Sequence, residues 1–162
     1  MEFKYLFYLY PFRPGADYFA HGALSFDYVP RVAVGKVRRR PEAKYARVNL
    51  VIVRGMDPDR KFERNRATAR QSCLARADEV SDNICRQLMA FKTLRHVMVK
   101  FRGEAASDLF YSYPVTALSY AFTLARIGRT AEANAELRKV LKGDYFPPET
   151  HATLFKELEA VR

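Results

Sequence analysis

The densest run of chemically capable side chains is Lys36-Val37-Arg38-Arg39-Arg40, with Lys44 and Arg47 following beyond Pro41. Guanidinium and ammonium groups at this density recognise anions, either carboxylates held by paired N–H donors or the phosphates of a nucleic acid. Tyr28 and Tyr45 lie close by in sequence and offer aromatic faces on which bases could stack. No aromatic RNA-recognition core motif, Gly-x-x-Gly clamp or zinc knuckle accompanies them. Lys36, Arg38, Arg39, Arg40, Lys44 and Arg47 therefore point first to an acidic protein partner. Nucleic acid is the alternative, and a merely solvated loop is the bland one.

Arg64, Arg66, Arg70 and Arg76 could extend this basic surface, although Glu63, Asp78, Glu79 and Asp82 supply the local partners of an ordinary solvated helix face. The other reactive side chains are scattered. His21, His96 and His151 are far apart, and none has a second His, a Cys or a carboxylate at metal-ligand spacing. Asp57 and Asp59 flank Pro58 in a pattern that reads as turn chemistry. Cys73 and Cys85 are expected on or beside an apolar helix stripe as buried, inert thiols. Twelve residues of helix would hold them about 18 Å apart, too far for a disulfide. Nothing resembles a phosphate-binding glycine loop, a nucleophile elbow or a His-Glu-x-x-His pair. The expectation is a non-enzymatic protein with no cofactor and no metal; the sequence does not speak to a small-molecule ligand.

The chain has 162 residues, 49% hydrophobic and 14% aromatic, enough to build a sizeable core as one domain. Its formal net charge is +10 and its pI about 9.8. The charge is uneven: residues 1–60 hold 11 cations against 6 acids, residues 61–103 hold 10 against 4, and residues 104–162 hold 7 against 8. An electrostatic partner should therefore meet the first hundred residues. Free thiols fit a reducing, cytoplasmic setting. Phe3–Tyr10 lacks a basic leader and a small-residue cleavage site, so no secretory leader is expected, and no stretch reaches the ~20 apolar residues of a membrane span. Arg outnumbers Lys 19 to 9, which fits a GC-rich bacterial genome.

The positioning elements read as α+β: a small, mostly antiparallel sheet in a β-rich lobe (1–58), then four to five helices in a helical lobe (59–162). Strands are expected at 3–10, ended by Pro11, Pro14 and Gly15, at 22–28, and at 45–53, with Arg31–Val37 as a short edge strand. In the third strand Val48, Leu50 and Ile52 should face one side, Arg47 and Asn49 the other. From about Asp59 the period changes. Cys73, Ala77, Val80, Ile84, Leu88 and Phe91 form an amphipathic stripe at spacings of three and four. Residues 94–101 fit helix or strand equally, with Gly103 ending the piece. Further helices are expected after Pro114, closed by Gly128; from a Thr130 N-cap to Gly143; and over Pro148–Val161.

Residues 117–141 resemble a tetratricopeptide repeat unit. Ala121 and Leu124 stand where that family places a small and a large residue on its first helix, followed by the turn glycine Gly128. Glu132-Ala133, Leu137 and Val140-Leu141 match its second helix. Ala117 stands where the family has an aromatic residue, and the closing proline is displaced to Pro147-Pro148. No second copy occurs at the ~34-residue period, so the resemblance implies a packed helical hairpin and not a peptide-binding solenoid. Small α+β proteins without catalytic motifs commonly act as toxin-neutralising immunity proteins, adaptors or chaperones, and a protein of that kind is expected here.

Overall fold

A computed structural model describes residues 3–13, 17–33, 36–38, 48–55, 81–107 and 109–161. It shows an α+β architecture in which a three-stranded antiparallel sheet precedes five helices among the described residues. Strand β1 (Lys4–Arg13) pairs with β2 (Asp17–Ser25), and β2 pairs on its other side with β5 (Leu50–Gly55), giving the order β1-β2-β5. A separate two-stranded ladder joins β3 (Arg31–Ala33) to β4 (Lys36–Arg38). The region expected as one edge strand is thus a hairpin.

Strand β1 runs through Pro11, where the sequence predicts its end. Lying at the side of the sheet, it need not donate from every backbone nitrogen, and its register slips between Pro11 and Arg13. Strand β2 sits earlier than expected, at Asp17–Ser25, because the chain turns at residues 27–29. A second register shift, between Gly22 and Ala23, leaves Ile52 of β5 without a register partner.

Helix α1 (81–89) is the end of the expected long amphipathic helix; the earlier part of that stripe lies outside the described residues. Ile84 and Leu88 are its buried positions, and they rest on the sheet at Gly22. A Cβ at Gly22 would come within 2.6 Å of Ile84 Cγ2, so a bare backbone is what allows the helix to approach this closely.

Helix α2 (Leu94–Ala105) resolves the ambiguous segment. Leu94, Val97, Met98 and Phe101 are buried at helical spacing, and Thr93 caps the first turn by accepting from the His96 N–H. Gly103 does not end the helix, which continues for two more residues. A short 3-10 turn (Phe110–Ser112) then leads into α3 (Pro114–Arg126).

Helix α3 is the central element. Every residue from Ala117 to Ala125 is buried, so it is enclosed all round and not merely along one stripe. Its two polar interior residues bond within the helix: Ser119 Oγ donates to the Val115 carbonyl at 2.7 Å and Thr123 Oγ1 to the Ser119 carbonyl at 2.7 Å. Gly128, at φ 81°, closes α3. The Arg129 N–H reaches the Leu124 carbonyl and the Gly128 N–H the Ala125 carbonyl, each at 2.9 Å, which satisfies two otherwise orphaned carbonyls. Helix α4 (Thr130–Val140) folds back with Ala133, Leu137 and Val140 buried. Helix α5 (His151–Ala160) follows a 3-10 turn at Pro148–Thr150 and contributes Leu154 and Leu158.

Sheet and helices share one hydrophobic core. An unbroken series of ring contacts runs Phe3, Phe26, Phe101, Tyr120, Phe110, Tyr111, with successive centroids 5.3–6.2 Å apart. A polar chain runs beside it. Asn49, only 2% exposed, accepts from the Phe26 N–H at 2.9 Å and donates to Ser119 Oγ at 3.0 Å; Tyr28 OH and Thr123 Oγ1 lie 2.9 Å apart. Alternation had placed Asn49 on a face opposite Leu50. Instead its side chain is the buried link between the end of β2 and the middle of α3.

Candidate functional site

The basic segment enters the described fold through the β3–β4 hairpin. Arg31 pairs with Arg38, Val32 with Val37, and Ala33 with Lys36. Val32 and Val37 pack against the core, while Arg31 and Lys36 are exposed. The period of two thus anchors the hairpin by its valines and turns Arg31 and Lys36 outward. Arg39, Arg40, Lys44 and Arg47 lie outside the described residues, as do Tyr45, Cys73, Asp57, Asp59 and the arginines from Arg64 to Arg76.

Arg31 is a cation that inspection of the basic run missed. It is five residues before Lys36, yet strand pairing sets it directly across from Arg38. The available signal was the expected strand over Arg31–Val37 together with Gly35, a residue suited to a tight two-residue turn. Four other cations are matched: Lys4 with Asp27 at 2.8 Å, Lys100 with Glu104 at 3.2 Å, Lys139 with Glu136 at 2.7 Å, and Arg129 with Glu132. Among the described residues Arg31 and Lys36 make no ion pair.

Tyr28 is not placed to stack a base. Its ring lies on Phe26, with centroids 5.5 Å apart, and its hydroxyl is engaged with Thr123. Cys85, expected to be buried, is exposed, because Ile84 and Leu88 occupy the inward positions of α1.

The histidines occupy separate elements: His21 in β2, His96 in α2 with Nδ1 accepting from the Lys92 N–H at 3.3 Å, and His151 in α5 with Nε2 2.9 Å from the Phe146 carbonyl oxygen. Among the described residues no group of three His, Cys, Asp or Glu could hold a metal ion. No described helix is long and apolar enough to cross a membrane.

A titratable cluster among the described residues ties the 3-10 turn to α4. Tyr111 OH donates to Glu136 Oε2 at 2.5 Å, and Lys139 Nζ donates to Glu136 Oε1. Burial, followed by the Glu136 carboxylate, raises Tyr111 above the ordinary tyrosine value of 10.0; burial does the same for Tyr120, with Glu136 and Glu132 adding to it. The hydrogen bond to Glu136 raises Lys139. Tyr111, Tyr120 and Lys139 therefore hold their protons at neutral pH, and the bonds among Tyr111, Glu136 and Lys139 strut the 3-10 turn against α4. The described residues line open cavities. One of about 360 Å³ lies beside Val51, Glu104, Leu109 and Tyr113; one of about 330 Å³ lies beside Asp27, Tyr28, Arg126 and Glu157.

Comparison of this chain with protein-family models, curated proteins and solved structures finds no match.

Proposed function

We propose that this is a non-enzymatic interaction protein of the immunity, adaptor or chaperone kind, acting in a reducing bacterial cytoplasm and binding an acidic protein through its β3–β4 hairpin and the basic chain that follows. The observation that carries this reading is the hairpin itself. Val32 and Val37 fix it to the core, while Arg31 and Lys36 point outward without carboxylate partners among the described residues. Anchored cations lose little entropy on meeting a carboxylate surface, and they steer its approach. Arg38, Arg39, Arg40, Lys44 and Arg47 continue the same charge in sequence. The α3–α4 hairpin, with its resemblance to a repeat unit, serves as scaffold. Engagement of Tyr28 in the core favours a protein partner over nucleic acid, since a stacking platform is what single-stranded binders add to charge.

The test is retention from nuclease-treated native lysate on the wild-type protein and on a triple variant, Arg31→Glu, Lys36→Glu and Arg38→Glu. Wild type should retain an acidic protein in stoichiometric amount at low salt, and the variant should not. Retention of nothing that distinguishes the two would overturn the reading. A labelled oligonucleotide bound with a steep salt slope, flattened by replacing Arg38, Arg39 and Arg40 with Ala, would move the assignment to nucleic acid.

A further inference from the structure

We draw no further inference here: the strongest candidate, the open cavity of about 360 Å³ lined by Val51 of β5, Phe110 of the 3-10 turn and the exposed Leu109 and Tyr113, presents a mostly apolar wall, and nothing in the structure shows what covers it.

Discussion

Replacing Asn49 with alanine should remove about 3 kcal/mol of stability, although the residue is polar and stands just before β5 begins. The magnitude follows from its partners. Asn49 Oδ1 is the acceptor for the buried Phe26 N–H, and losing it strands that donor at a cost of roughly 1–3 kcal/mol. Ser119 Oγ loses the N–H that Asn49 donates but keeps its own bond to the Val115 carbonyl, so its loss is small. The vacated amide volume adds about 1 kcal/mol. The backbone bond from the Asn49 N–H to the Leu24 carbonyl survives, so the strand end stays in register. For a chain of this length a 3 kcal/mol loss corresponds to a fall in Tm of roughly 6–12 °C. Urea and thermal melts followed by circular dichroism would read it, with the urea slope unchanged if only the native state is affected. Ser119→Ala should cost roughly 1–2 kcal/mol, and the double variant should cost about 1 kcal/mol less than the sum, because the two residues share one bond. A loss below about 1 kcal/mol for Asn49→Ala, or strict additivity with Ser119→Ala, would refute the link between sheet and α3.

Three further outcomes follow from the same geometry. Gly22→Val should destabilise the fold by about 2–3 kcal/mol through collision with Ile84, and Ile84→Ala should make the same substitution cheaper; equal penalties in both backgrounds would contradict the close approach. Cys85 should react with a thiol reagent in the folded protein, at a rate that denaturant changes little; no reactive thiol before unfolding would contradict its exposure. Tyr111 and Lys139 hold their protons more tightly when folded than when unfolded, so their contribution is complete below the ordinary unfolded values and is lost as pH rises through the raised folded ones. Urea midpoints measured from neutral to strongly alkaline pH should therefore decline less steeply in Tyr111→Phe than in wild type, and an unchanged slope would count against the Tyr111–Glu136 bond.

What could be read from the residues was what local chemistry decides. Gly128 marked the end of α3 because a left-handed cap needs a residue without Cβ, and Leu137 and Val140 marked the inner face of α4 by spacing alone. What could not be read depended on contacts distant in sequence. Asn49 alternates with hydrophobic residues as a solvent-facing position would, and only Phe26 and Ser119, 23 and 70 residues away, make it an interior one. Residues 94–101 were undecided because Val99 breaks the helical stripe; it is exposed and belongs to the other face. Pro11 looked like a strand end because the sequence does not announce which strand lies at the side of the sheet. The basic run was plain in the sequence, but its alignment opposite Arg31 appears only once the hairpin forms.

The basic hairpin is tested most directly by titrating wild type and the Arg31→Glu, Lys36→Glu, Arg38→Glu variant with a glutamate-rich peptide and with an oligonucleotide of equal charge, in the same buffer and salt. The wild-type protein should prefer the peptide, and the variant should lose about tenfold or more of that affinity while melting close to wild type, because Val32 and Val37, which hold the hairpin to the core, are untouched. Preference for the oligonucleotide, or peptide binding that survives all three reversals, would contradict an acidic protein partner at this surface.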